Sequence, residues 1–600
     1  MGYGARARRV PAKGGAVLTD VDIFKVLMIG KAERGIIDSV GLPILQEEIY
    51  SMNDYFKKCG GNNNSYYTPY VAQAFFEELQ SDISCEMKVM SWLSADSTQA
   101  AYSIMDTASS AAKIFDIKAG RKGLNDKSAF GNKVAIKITH ISPITMKLAG
   151  NVADTDVSVV LDSVDNLTVG NYIKFVDGVK EEVRKILTIV PATKTVTFDA
   201  ISEATGFAAA TATVYRLDWR LEIGVKDDLG DYQKMETWEA PFAQSNSIGL
   251  ASLVNNTVSG SDFVILAVDS TNASAPEDQI PTELTSWTAL TGGSDGTAAV
   301  DANYKTLANT YCGNAEFTIL LAPESSSITH NNNMAEFCTD QYRGVYYAQS
   351  SNGATEDTLK NFGASLRGSI KFAMIPSDKW IKVNDPTVIE GTKDIPMVGC
   401  AAAHWFNTYQ KYGESKVAAG NKSEMVLKTS SVLLDSNGLV HDDVPGVGGR
   451  LIRNYSVNIS RFKRGKGITI NSARTLSTDD GYKYQNQLFQ FILYARSIVA
   501  YLREIEQDRS GVKAQEQHWR EVWRYMKAKY DAGHLFQGQK EDGSLTKFED
   551  VCIIVNDFTI NTLADLNNGI EQIFMQFVAV NPIEEPILNL ASAAVTSVRG

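Results

Sequence analysis

VAIKITH at residues 134–140 and LEIGVK at residues 221–226 are two runs of one kind, large apolar side chains alternating with small or polar ones. Val134, Ile136 and Ile138 alternate with Ala135, Lys137 and Thr139, and Leu221, Ile223 and Val225 with Glu222 and Gly224, the period-two pattern of a half-buried strand. Between them lie further short strands, DVSVVL, NYIKFV, VRKILTIV and KTVTFDA, divided by turn signals at Asp177-Gly178 and Pro191. That spacing predicts a small antiparallel β domain over residues 141–216, inserted between two neighbouring strands of a parent sheet.

Outward from this block the pattern turns to alternating strands and helices. DIFKVLMIGKAERG, from Asp22, reads as a strand with a glycine-containing turn. TPYVAQAFFEEL carries a helix start, Thr68 as N-cap and Pro69 first in the helix, with Val71, Phe75 and Leu79 along one buried stripe. From about Glu239 to Cys400, the strands DFVILAV, EFTILLA and IKFAMI alternate with the helical stretches DANYKTLANTYC and NMAEFCTDQYRG, which predicts a layered α/β arrangement. Helices follow at about 482–507 and 513–529, the second with Trp519, Val522, Trp523, Met526 and Tyr530 on one face. Two strands, DVCIIVND and IEQIFMQFVAV, then precede a tail that Pro582 and Pro586 keep extended. The first 19 residues hold no acid and are rich in Gly, Ala and Arg, as suits an extended arm. The expected fold class is therefore α+β and multi-domain. It has an N-terminal arm (1–21), a layered α/β body (22–140 and 217–400), the inserted β domain (141–216), a C-terminal helix-plus-sheet domain (401–582) and a C-terminal arm (583–600).

Composition narrows the function classes. At roughly 150 residues per domain, 600 residues make about four. With 44% hydrophobic and 21% charged residues, disorder, collagen and coiled coil are excluded for the chain as a whole. A net charge of -12, from 58 Lys+Arg against 70 Asp+Glu, argues against direct nucleic-acid binding, which needs excess cations to displace counterions. Six widely spaced cysteines suggest neither a disulfide scaffold nor a CxxC zinc site. Arg6, Arg8, Arg9 and Lys13 precede no apolar stretch, so no secretory signal is expected. No run reaches the 18 or so apolar residues of a membrane span, and membrane insertion is not expected either.

Motifs for chemistry are sparse, and no cofactor or metal is expected. Gly292-Gly293-Ser294-Asp295-Gly296 satisfies GxSxG, which as a nucleophile elbow would make Ser294 the nucleophile of a serine hydrolase. SWTALT before it is a poor buried strand, and a Gly/Ser/Asp cluster is more simply a turn. The six histidines hold no HExxH spacing. His441 beside Asp442 and Asp443 sits in a turn-rich stretch, and GRKGLNDKS lacks the glycine spacing of a phosphate loop. Arg450, Arg453, Arg461, Lys463, Arg464 and Lys466 form a basic run, and Arg520, Arg524 and Lys527 a basic stripe at helical spacing. Each fits an acidic partner surface or an ordinary solvated face.

The order of motifs resembles that of the contractile tail sheath proteins of phages and related injection machines. The resemblance rests on AFGNKVAIKI (129–138), LTGGSDG (290–296, with Gly292, Gly293, Asp295 and Gly296), DIPMVGCAAAHW and KVAAGN (416–421, with Ala418 where proline is usual). SARTLS (472–477), the two long helices, GHLFQG (533–538) and the ending VNPIEEP complete it. It implies a non-enzymatic subunit that stacks in six-fold rings around an inner tube, contracts by rigid-body rearrangement, and meets baseplate and tail terminator proteins. The location implied is a virion tail, assembled in the bacterial host cytoplasm. It also implies arms that add strands to neighbouring subunits' sheets, here carrying Val10, Val17, Ile583, Ile587, Leu588 and Leu590. Arg520, Arg524 and Lys527 are then the candidates to face the tube.

Overall fold

The computed structural model describes residues 18–582, apart from 109, 228–229, 242–248, 273, 275–278, 341–342, 386, 388–390, 421–425, 428–447, 464–466, 506–511, 541, 558, 563–564 and 566–570. The arm residues Val10, Val17, Ile583, Ile587, Leu588 and Leu590 lie outside the described residues, as do His441, Asp442, Asp443, Arg464 and Lys466.

Five strands, Ala373–Met374, Val345–Tyr347, Ile319–Leu321, Lys25–Gly30 and Glu86–Ser91, stand side by side in parallel, and Gln46–Ile49 closes the sheet antiparallel to the last. Val26 to Gly30 are all buried, as a parallel strand covered on both faces must be. The helices Thr68–Glu78, Asp301–Tyr311, Ile328–Thr339, Glu356–Leu366 and Val398–Tyr412 supply much of that cover. EFTILLA and IKFAMI join this sheet as expected, but DFVILAV does not. Val264–Val268 pairs antiparallel with Lys113–Arg121 in a second unit, whose core holds Phe115, Ile136, Trp219, Leu221, Ile223 and Val264. A period of strand and helix fixes the local element, not the sheet it joins. The stretch expected to be one layered body therefore holds two cores.

Val134–Lys147 and Thr213–Lys226 are each 14 residues long and pair antiparallel from Val134↔Val225 to Lys147↔Thr213, with one register shift between Arg216 and Asp218. At that shift the Arg216 guanidinium lies on the Asp218 carboxylate through bonds of 2.8 and 2.6 Å. Beyond it begins a separate core running from Met146 to Val214, around Phe175, Phe198 and Phe207. Its hairpin Tyr172–Asp177/Lys180–Lys185 turns on Gly178, whose φ of 66° is what the first central position of a type II′ turn requires.

Towards the C-terminus, the helices Gln485–Glu504 and Val512–Asp531 and the hairpin Cys552–Val555/Phe574–Phe577 pack into the same core as the parallel sheet. The boundary expected at residue 400 falls inside the helix Val398–Tyr412. The Ala418 amide donates to Gln485 Oε1 at 2.9 Å, a bond that a proline at this position would lack.

Thr68 is the first residue of its helix, not the N-cap. The amides of Tyr67 and Thr68 and the Thr68 hydroxyl all donate to Glu324 Oε1, at 3.0, 2.8 and 2.6 Å, so a carboxylate 256 residues away does the capping. Burial raises the pKa of Glu324 and these donors act against the rise. Glu324→Ala orphans both helix amides; these bonds are part-buried, so the lower half of the range for an unsatisfied donor applies, about 1–2 kcal/mol each, and we expect about 2–4 kcal/mol of destabilisation. A urea midpoint equal to that of the unaltered protein would exclude the capping role.

Candidate functional site: a polar joint and an open-edged hairpin

Two motifs set 161 residues apart in the sequence meet in space. Asn132 and Gly293 exchange bonds, Asn132 Nδ2 to the Gly293 carbonyl at 2.8 Å and the Gly293 amide to Asn132 Oδ1 at 2.9 Å. A Cβ at Gly293 would stand 2.5 Å from the Ser128 carbonyl oxygen, and one at Gly296, where φ is 69°, only 2.4 Å from Asp96 Oδ1. Glycine is required at both places. Between them Asp295 accepts from the Tyr66 hydroxyl (2.6 Å), the Ala129 amide (3.1 Å) and Lys31 Nζ (3.4 Å). The Ser94 hydroxyl, with the amide and hydroxyl of Thr297, holds the Asp96 carboxyl down at about 2.

Lys31 opens the run KAERG, which leaves the parallel strand Lys25–Gly30 and crosses to the antiparallel unit. Glu33 accepts from the Gly61 amide at 2.7 Å and pairs with Lys133 at 2.5 Å; burial raises its pKa, and Lys133 opposes this. Arg34 is the centre of the joint. Its Nε pairs with Asp126 at 2.8 Å, neither side chain being exposed at all, and its other nitrogens donate to the carbonyls of Lys57, Asp262 and Gly120 at 2.5, 2.7 and 2.9 Å. The rings of Phe130 and Phe263 lie 5.0 and 5.8 Å from the guanidinium carbon. Gly120 and Asp126 belong to one hairpin and Lys57 and Asp262 to two other stretches, so one side chain ties three parts of the chain together across the two units. The role of Arg34 is not legible in the sequence, where KAERG shows only a glycine-containing turn after a strand.

Ser294 sits in this joint and not at an elbow. Its backbone bridges to Thr98 in both directions, its hydroxyl accepts from the Gly296 amide at 3.2 Å, and the next helix begins only at Asp301. The GxSxG string is a docked turn.

The basic stripe lies on the outer face of the helix Val512–Asp531. Arg520 and Arg524 are 62% and 69% exposed at the side chain and pair with Glu516 and Glu521 at 2.6 and 2.5 Å, and Lys527 pairs with Asp531. The opposite face is broader than the expected stripe. Val522 and Met526 are fully buried beside His518 and Tyr525, whereas Trp519 and Trp523 are half-buried against Ile554 and Phe548.

Under those tryptophans lies the hairpin Cys552–Val555/Phe574–Phe577, with Cys552 opposite Phe577 and Val555 opposite Phe574. Cys552, Ile554, Met575 and Phe577 face the core, while Ile553 and Phe574 face outward, 50% and 51% exposed. Among the described residues neither strand has a third partner strand in its sheet, although Ala579 just beyond it bridges Leu535 and the Ile554 carbonyl accepts from Trp519 Nε1. A two-stranded sheet is marginal alone, and an apolar open edge invites another strand.

No protein-family model matches the chain, and no curated protein matches it. It is similar to chains in solved sheath and baseplate assemblies. One is the anti-feeding prophage helical sheath in its contracted state, at 16% identity, covering 51% of this chain and 78% of that one with a TM-score of 0.38. Another is the PVC sheath complex of an extracellular contractile injection system, also contracted, at 19% identity, 49% and 75% coverage and a TM-score of 0.40. A third is a chain of the six-fold symmetrised anti-feeding prophage baseplate, at 18% identity, 50% and 75% coverage and a TM-score of 0.38. The likeness spans half of the chain, and the functional reading rests on the chain's own residues. Among the described residues no helix is long and apolar enough to cross a membrane.

Proposed function

We propose that this protein is the structural subunit of a contractile tail sheath, stacking in six-fold rings around an inner tube. The observation that carries it is the hairpin Cys552–Val555/Phe574–Phe577, which presents outward Ile553 and Phe574 and has no third strand among the described residues. Residues 1–17 and 583–600 are the strands offered to such an edge on neighbouring copies, with Val10, Val17, Ile583, Ile587, Leu588 and Leu590 as their apolar positions. A head-to-tail contact closes into a ring when its rotation closes and continues as a helical filament when it does not, and a stack of rings uses both.

The subunit moves as a rigid body. Its two inner units are locked by Arg34, Asp126 and the Asp295 turn, so contraction is a change of packing between subunits while the arms keep the mesh connected. The driving force is a difference in contact energy between two packings. Baseplate and terminator proteins meet the ends of the stack, and the assembly belongs to a tail formed in the bacterial host cytoplasm. Negative-stain microscopy of concentrated protein tests the reading: tubes with a regular axial repeat support it, and monomers at every concentration contradict it.

Arg520, Arg524 and Lys527 face the tube in this proposal. Their pairs with Glu516, Glu521 and Asp531 lie at the surface, each with at least one exposed partner, hence are worth about 0–1 kcal/mol each and can exchange for acids on a partner. Replacing all three by Glu leaves an uninterrupted acidic face. The expected outcome at low ionic strength is empty polymers in place of tube-filled ones, and unchanged filling would remove this assignment.

A further inference from the structure

Both ends of the described chain are held by one helix. At the N-terminal side Leu18 is 7% exposed within the main core, and the Val21 amide donates to Ser497 Oγ at 3.1 Å. At the C-terminal side Asn486 Nδ2 donates to the Val580 carbonyl at 2.6 Å and Gln487 Nε2 to Asn581 Oδ1 at 2.8 Å. Residues 486 and 497 lie on the helix Gln485–Glu504. At 1.5 Å of rise per residue the two roots stand about 16 Å apart along its axis.

The N-terminal root has a second fastening, built from charge. Lys529 Nζ lies 2.7 Å from Asp20 Oδ2 and 3.0 Å from Glu414 Oε1. Tyr525 donates to the other oxygen of Asp20 at 2.6 Å, and Tyr494 to Glu414 at 3.1 Å. The Tyr494 and Tyr525 rings flank the ammonium, 5.6 and 5.3 Å from it, and His534 Nε2 stands 3.7 Å from the far oxygen of Glu414. Lys529 is 12% exposed and Glu414 5%, but Asp20 is 41% exposed. An ammonium shared by two carboxylates from different parts of the chain is thus well packed on the body side and open on the arm side.

We propose that Lys529 is a positioning residue for the N-terminal arm. It sets the direction in which residues 1–17 leave the subunit. The partner so addressed is a second copy of this chain. This rests on the sheath reading for its consequence, though not for its geometry.

Three full-length variants test it. Asp20→Asn removes the charge on the arm side only and leaves the Lys529–Glu414 pair intact, so the fold is preserved. Lys529→Met removes the shared cation, and Lys529→Arg restores it. Hydrogen exchange on the unpolymerised subunit is expected to show the Val21 amide exchanging at least ten-fold faster in D20N and K529M, and near the original rate in K529R. Polymers of D20N and K529M are expected to lose their regular axial repeat, with K529R keeping it. Unchanged exchange at Val21 in D20N overturns the clasp. Faster exchange with an unchanged repeat overturns its role in aiming the arm. Should the unaltered protein form no polymer, the sheath reading fails, while the exchange comparison still decides the clasp.

Discussion

Removal of residues 1–17, or of residues 583–600, is expected to leave folded subunits that no longer polymerise. The cut points follow from the fastenings at each root. Leu18 is buried in the main core, Asp20 and Val21 are bonded to Tyr525 and Ser497, and Asn581 is bonded to Gln487, so a cut inside those residues would damage the fold as well. An arm that adds a strand making about six backbone hydrogen bonds contributes about 3–9 kcal/mol at 0.5–1.5 kcal/mol each, or roughly two to six decades in affinity. Sedimentation should show the truncated protein as monomers or small oligomers at concentrations where the full chain forms polymers, with an unchanged circular dichroism spectrum. Truncated chains that polymerise like the full one would rule the arms out as connectors.

The largest expected effect on stability is at Arg34. Its pair with Asp126 is fully buried, and removing one partner leaves the other charge stranded without water, which costs about 3–5 kcal/mol. Against a total of about 5–15 kcal/mol for a typical domain, Arg34→Met alone is expected to remove a large part of the stability and lower the urea midpoint accordingly. Arg34→Lys is not a conservative change here, because an ammonium cannot reach Asp126 and the carbonyls of Lys57, Gly120 and Asp262 together. Replacing both partners by apolar side chains, Arg34→Met with Asp126→Leu, should recover part of the loss. Urea unfolding checks all three. A midpoint in Arg34→Met within error of the original would show that the joint does not hold the two units together.

Features carried by local periodicity were legible in the sequence, and those made by distant chain segments were not. The helices expected at 482–507 and 513–529 stand at Gln485–Glu504 and Val512–Asp531, because apolar spacing over five turns determines them. The long strands flanking the insertion show their alternation plainly, and they pair in the expected neighbourhood. Thr68 misleads because a threonine before proline is a local cap signal, whereas the acceptor that does the work, Glu324, comes from a remote loop. DFVILAV carries no mark of the antiparallel partner it finds in Lys113–Arg121. At the joint, Gly292, Gly293, Asp295 and Gly296 were visible as a turn. That Asp295 reaches Lys31, Tyr66 and Ala129 needed the fold. Arg34, Lys529 and Asp20 carry no signal in the sequence. Only the packing of two cores around Arg34, and of two tyrosines around Lys529, gives them a role.

The most direct measurement is a helical cryo-electron microscopy reconstruction of the polymer, read at the hairpin Cys552–Val555/Phe574–Phe577. The account predicts that strands from the terminal arms of neighbouring copies lie along its open edges, covering Ile553 and Phe574. A regular polymer in which those edges remain two-stranded, with the arms elsewhere, would contradict it.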